Sequence, residues 1–572
     1  MRSFLARTRE RKLVHWAVAY LAGAWLLLQV LDLLAQPFAW PDRVLRAATV
    51  LLAVGFLAAL VLAWYHGERG AQRVSGIELL MLTGILVIAA AAVGFVGGRP
   101  AAPAAPEPAV ATSPAAVAEQ GSIAVLPFAD LSPDRDQEYF ADGLTEELLN
   151  VLAQLPGLRV ASRTSAFSFK GSAVAIDSIA RALRVAHVLE GSVRKEGERL
   201  RITAQLINAA DGYHLWSDTY DRDVGSVFAV QDEIAHAIVA ALELRLGGGT
   251  KRAPLAREET TDPEAHTLVL KAATRGRRDT HESLEEAVTL LEQAIARDPE
   301  YANAHALLAR MQLRQVYNGF ASADELIPRV RAAAARAQAL DARSAEAEFA
   351  LGQLARDYDQ DFRAAEAHFR RAIELNPSLA VAHSNRGWLL MQLGRSAEGI
   401  AASERAVELD PLDPGLITNL ASMYVYGGQL ERAVEAYRTS LALEEHLITL
   451  GNLALSYAEL GRDREAMDAA GRAAALDPAH EFVPGVLAYV HGQAGRRAEA
   501  ERYIRELEQQ PAYYFAAAAW AVLGERDRTF ELLEKAVRTR EPGVADMGID
   551  PAFAKYRDDP RMLAMLKELG LR

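Results

Sequence analysis

Asn385, Asn419 and Asn452 recur at spacings of 34 and 33 residues, so in a chain of that period they occupy one place in three successive units. A carboxamide both donates and accepts hydrogen bonds, and a ladder of them suits an extended peptide backbone without demanding one side-chain sequence. The structural alternative is that each asparagine bonds the neighbouring helix. Other candidate chemistry is sparse. The sequence holds no Gly-x-x-x-x-Gly-Lys-Ser/Thr phosphate loop, Gly-x-Gly-x-x-Gly, His-Glu-x-x-His or Gly-x-Ser-x-Gly. His281-Glu282 begins like a zinc helix but lacks the second histidine one turn on, and Gly247-Gly-Gly249 follows no strand. Ser162-Arg-Thr-Ser165 follows a strand and can offer backbone N–H groups to an anion, with a loop cap as the alternative. Glu190, Ser192 and Arg194 beside Arg201, Thr203 and Gln205 form a wet strand face, either a partner surface or ordinary solvated sheet. The chain has no cysteine, which excludes disulfides, thiolate nucleophiles and cysteine zinc sites. No catalytic residue, cofactor or metal ligand is assigned.

The elements that must position the asparagines are helices. Asp298-Pro299, Asn376-Pro377, Asp410-Pro411 and Asp477-Pro478 each end an alanine-containing helix, and Asn376 to Asp410 is 34 residues. Asp410 to Asp477 is 67 residues, two periods with Glu444 at the step between. Tyr424, Ala433 and Tyr437 in one unit, and Tyr457, Ala466 and Ala473 in the next, supply aromatic and small packing residues. This pattern resembles the tetratricopeptide repeat, whose paired helices stack on their neighbours to bury a continuous core. About eight units are expected between Asp262 and Glu541, followed by a capping helix that contains Asp559-Pro-Arg-Met-Leu. In such arrays the A helices line the concave surface, which the resemblance makes the candidate groove for a protein or peptide partner.

Upstream, Ser122 to Phe128 reads as a strand and Tyr139 to Leu155 as an amphipathic helix. Leu158 to Ala161 reads as a second strand and Ile176 to Leu183 as a second helix, a serial arrangement that suggests parallel strands. His187 to Arg194 and Leu200 to Ile207 form a hairpin, with Leu200, Ile202, Ala204 and Leu206 on the buried face. Tyr213 to Tyr220 adds a strand and Val227 to Leu246 a closing helix. Ser122-Ile-Ala-Val-Leu-Pro-Phe, Asp142-Gly-Leu-Thr-Glu-Glu-Leu, Leu189-Glu-Gly-Ser-Val-Arg, Gln205-Leu-Ile and Gln231-Asp-Glu-Ile together resemble the TolB amino-terminal-like domain. That resemblance implies a binding or scaffolding module found in bacterial envelope and signalling proteins upstream of tetratricopeptide repeats, with no catalytic residues. Neither a recognisable cyclase domain nor a winged-helix DNA-binding domain accompanies it.

Three apolar stretches, Leu13 to Leu34, Ala47 to Trp64 and Leu79 to Val96, are each long enough to cross a hydrocarbon core of about 30 Å and read as transmembrane helices. Lys and Arg flanking them put the N-terminus in the cytoplasm and the region beyond the third stretch in the periplasm. The 572 residues therefore divide into a membrane anchor (1–98) that places residues 13–96 in the lipid bilayer, a Pro/Ala-rich linker (99–121), a TolB-like α/β domain (122–247), a linker (248–261) and a repeat solenoid with its cap (262–572). A mostly α chain is expected, with 51% hydrophobic but only 7% aromatic residues. The net charge of −13 is uneven: residues 1–100 carry ten Lys/Arg against five Asp/Glu, and the remainder 52 against 70. So acidic a remainder argues against a nucleic-acid partner, which needs clustered Lys/Arg. The reading is a non-enzymatic scaffold or adaptor at the bacterial inner membrane. The alternative is a transmembrane signalling component that senses a periplasmic ligand and acts on a cytoplasmic partner. Oligomeric state is not legible.

Overall fold

The computed structural model describes residues 121–571 apart from 134–136, 156, 197–198, 224–232, 235, 239, 242–259, 277–279, 510–511 and 542. These residues fall in one compact unit, 116–572, in which an α/β module is followed by a helical solenoid. The module opens with β1 (Ser122–Val125), β2 (Ala129–Asp130), α1 (Glu138–Ala153), β3 (Arg159–Val160), α2 (Arg163–Phe167) and α3 (Ile176–Leu183). Three long strands follow, β4 (His187–Glu196), β5 (Arg199–Asn208) and β6 (His214–Asp223). The sheet order is β3-β1-β4-β5-β6, with β2 paired to β4. β1 runs parallel to both β3 and β4, while β4, β5 and β6 are antiparallel.

The strand sequences follow from these positions. Ser122-Ile-Ala-Val is buried on both faces because helices cover both sides of the parallel centre. Ile123 and Val125 face α1, whose Leu144, Leu148 and Leu152 are fully buried, and Ala124 faces Ile179 and Leu183 of α3. β5 alternates buried Leu200, Ile202, Ala204 and Leu206 with wetter residues. On the wet face Arg201 pairs with Asp221 of β6 through bonds of 2.7 and 3.0 Å, and Thr203 meets Thr219 at 3.3 Å. Most of the expected closing helix, Val227 to Leu246, lies outside the described residues.

Among the described residues, eight helix pairs make the solenoid. The A helices are α4 (Pro263–Arg275), α6 (Ala302–Tyr317), α8 (Ala345–Asp357), α10 (Ala380–Gln392), α12 (Pro414–Tyr426), α14 (Leu447–Glu459), α16 (Phe482–Gln493) and α18 (Tyr513–Val522). The B helices are α5 (His281–Arg297), α7 (Ala323–Leu340), α9 (Phe362–Leu375), α11 (Ser396–Leu409), α13 (Leu430–Leu443), α15 (Asp463–Leu476), α17 (Arg497–Glu508) and α19 (Arg526–Thr539). Two 3-10 turns (Val544–Asp546 and Pro551–Tyr556) and α20 (Pro560–Glu568) end the chain. Small residues at the pair interfaces, such as Ala382, Ala406, Ala433 and Ala466, let the helices approach closely. Between A and B the backbone turns through a left-handed glycine, Gly394, Gly428, Gly461 and Gly495, with φ of 77, 72, 68 and 71°.

The expectation of a fold with three transmembrane helices, and of a multi-pass inner-membrane protein with a periplasmic C-terminal region, is corrected. No helix among the described residues is long and apolar enough to cross a membrane. The 18-residue α7 spans about 27 Å, short of a hydrocarbon core of about 30 Å, and carries Asp324, Glu325, Arg329, Arg331 and Arg336. The three stretches at 13–34, 47–64 and 79–96 lie outside the described residues, as does the spacer that follows them.

Candidate functional site

Successive A helices from α6 to α18 pack directly on one another. Helices that approach most closely along a stack lie on the inside of its curve, so the A helices form the inner face. The C-terminal segment folds across this face. Its second 3-10 turn packs on α18, and Gln392 Nε2 of α10 donates to Asp546 Oδ1 at 2.9 Å across 154 residues of sequence. Between that segment and helices α10 to α18 lies a cavity of about 290 Å³.

The three sequence-selected asparagines stand half-buried on α10, α12 and α14, in equivalent repeats. Their amides do different things. Asn385 Nδ2 donates to the Val381 carbonyl of its own helix at 2.9 Å. Asn419 Nδ2 reaches Ser384 Oγ on the preceding A helix at 3.4 Å. Asn452 lines the cavity. The aromatic walls were missed in the sequence because Trp388, Tyr426, Tyr489 and Tyr514 come from four repeats and look like packing residues when read singly.

Carboxylates complete the cavity. Glu459 accepts from Tyr489 Oη and, at 2.5 Å, from Gln493 Nε2. Asp550 accepts from Tyr514 Oη at 2.8 Å and caps the Ala552 N–H at 2.8 Å. Burial holds the Asp546 carboxyl up to about 6, with the Asp550 charge adding to the rise against hydrogen bonds from Gln392 and Trp388. Burial also raises Asp550, and pushes the Tyr426, Tyr489 and Tyr514 phenols far above their usual value.

The Ser162–Ser165 turn, a candidate anion cradle, holds an anion supplied by the protein. The Asp410 carboxylate, at the end of α11, accepts from the Ser165 backbone N–H at 3.0 Å and from the Ser165 hydroxyl. In other repeats the equivalent side chain closes its own loop: Asp298, Asp341, Asn376 and Asp477 each accept from the N–H two residues on, at 3.0 Å. At Asp410 the Ser165 hydroxyl is inserted into that turn and accepts from the Leu412 N–H at 2.8 Å. A second anchor joins α1 to α4, where His266 Nε2 meets Glu147 Oε1 at 2.5 Å and Leu270 packs so near Gly143 that a Cβ there would lie 2.6 Å from it. The module thus grips the first repeat and the junction of the fourth and fifth. His281 packs edge-on against Phe320 at 5.4 Å. Gly247 to Gly249 lie outside the described residues.

The comparisons agree on the repeats. A tetratricopeptide repeat model matches residues 279–316 and 354–414. Residues 119–237 match a family described as the HilA/YgeH-like transcriptional regulator, second domain, so the TolB-like assignment rests on sequence resemblance alone. A Rhizobium meliloti protein named putative adenylate cyclase 3 is 41% identical over 197 residues, 34% of this chain and 33% of that protein. The Hsp70-Hsp90 organizing protein of Triticum aestivum is 32% identical over 82 residues, 14% of each chain. The chain thus spans a third or less of these curated relatives. Among solved structures, the type IV pilus biogenesis factor PilW is 19% identical with a TM-score of 0.33, covering 39% of this chain and 98% of its own. YrrB, titled a TPR protein with an unusual peptide-binding site, is 20% identical with a TM-score of 0.26, covering 34% and 95%.

Proposed function

We propose that the chain is a non-enzymatic adaptor that takes a peptide segment of a partner protein on the inner face of its solenoid, with the α/β module over 122–247 bracing the repeats of 262–572. The observation that carries this reading is the inner face itself: adjoining A helices, half-buried asparagines at equivalent places, and a cavity beside Asn452. Replacing Asn385, Asn419 and Asn452 together with alanine tests it. Stability should stay within about 1 to 2 kcal/mol, because the groups are half-exposed, while capture of the partner is lost. An array that melts early yet still binds through its folded fraction assigns the asparagines to structure.

A second reading, as a component of a signalling pathway, is favoured by the relative named as a putative adenylate cyclase. In that case partner binding changes with a signalling ligand, whereas a plain adaptor binds its partner equally with and without one. Crosslinking partners in the presence and absence of nucleotides separates the two.

A further inference from the structure

The inner-face cavity combines aromatic walls with three carboxylates. Trp388, Tyr426, Tyr489, Tyr514, Phe482 and Phe515 line it together with Glu459, Asp546 and Asp550, and among the described residues none that lines it is Lys, Arg or His. Two arginines outside the lining act on the aspartates from a distance, Arg356 on Asp546 and Arg557 on Asp550, but their hydrogen bonds go to other groups: Arg356 is held by Asp357 at 2.5 Å, and Arg557 donates to the Ile549 carbonyl at 2.9 Å. Beside Asp546, the Gln392 carboxamide oxygen is buried without a donor among the described residues.

We propose that this cavity binds an organic cation, the guanidinium of an arginine side chain on the partner peptide, between its aromatic rings and the Asp546 and Asp550 carboxylates. The source of that cation rests on the peptide-binding reading; the charge and ring chemistry do not. Ring faces attract cations electrostatically, and a weakly hydrated, planar guanidinium suits them better than an ammonium while matching a carboxylate with two parallel bonds. The volume lies at the low end of ligand sites, enough for one side-chain head rather than a large molecule. A metal ion fits less well, since among the described residues no three His, Cys, Asp or Glu are grouped to hold one. Both aspartates pay for burial by resisting ionisation, a cost that an entering cation relieves.

Calorimetry on the full chain tests this with an acetylated, amidated pentapeptide of glycines around one arginine, its citrulline counterpart, and tetramethylammonium. The arginine peptide should bind about tenfold more tightly than the citrulline peptide, and the preference should vanish in an Asp546→Asn, Asp550→Asn double variant. Asparagine retains the capping oxygen at 550; if the double variant nevertheless fails to fold, Glu459→Gln should weaken the same preference. Equal binding of the two peptides, or a preference that survives in the folded variant, overturns the proposal. Tetramethylammonium binding as tightly as the arginine peptide overturns the peptide source. Equal binding of the two peptides by the unsubstituted chain, with partner capture intact, removes the cation site and leaves the adaptor reading standing.

Discussion

Asp410 shows what one residue can do in two contexts. As part of Asp410-Pro411 it is legible in the sequence as a repeat marker, and the turn it ends lies where the period puts it. Its partner Ser165 is 245 residues away, and no local pattern links the two. Burial raises the Asp410 carboxyl, while hydroxyls of Ser162, Ser165 and Thr164 oppose the rise, so its partners offset part of the cost of enclosing a charge. Asp410→Ala leaves the Ser165 N–H and hydroxyl without their acceptor and should cost about 2 to 3 kcal/mol in urea unfolding. Combined with Ser165→Ala, the loss should be clearly smaller than the sum of the two single losses, because both remove one shared interaction. Additive losses would show that the two residues act independently. The asparagines were legible by spacing, but not their different roles: Asn385 bonds its own helix, Asn419 reaches the preceding A helix and Asn452 lines the cavity.

At the scale of elements, period and capping were readable because they are local. The helix expected at Ile176 to Leu183 occupies those residues, and the β4–β5 hairpin is two residues longer at one end and one residue longer at each end of its second strand than the alternation alone suggested. The glycines between A and B helices form a further local signal at nearly the same period. Gly461 has a φ of 68°, a region where a Cβ is strained, so Gly461→Ala should destabilise by about 1 to 2 kcal/mol. Gly471 lies exposed inside α15 with open space at its Cβ position, so Gly471→Ala should stabilise by about 0.5 to 1 kcal/mol. Parallel thermal melts of the two variants check the opposite signs. What periodicity could not supply was the position of the C-terminal segment, whose crossing of the inner face depends on the curvature summed over several repeats.

Over the whole molecule, that curvature brings residues from α10, the later A helices and the chain end into one cavity, and gives it a pH response. Asp546 holds its proton to about pH 6, against an ordinary carboxyl value of 3.8. A raised folded-state value means that its contribution to stability is fullest below about pH 4 and is lost as pH rises through about 6. The groups facing Asp546 are Gln392, Trp388 and Asp550, with Arg356 and Tyr426 nearby. Cation affinity should run the other way, increasing from pH 5 to pH 7 with release of a proton, and Asp546→Asn should flatten the rise. Calorimetry in buffers of different ionisation heat reads that proton directly. The inner face is the surface on which the proposed partner docks. A photo-crosslinking amino acid placed at Leu455, on that face, should label one partner segment identifiable by mass spectrometry, whereas the same probe at exposed Gly471 on α15 should not; labelling of that segment only from position 471 would contradict it.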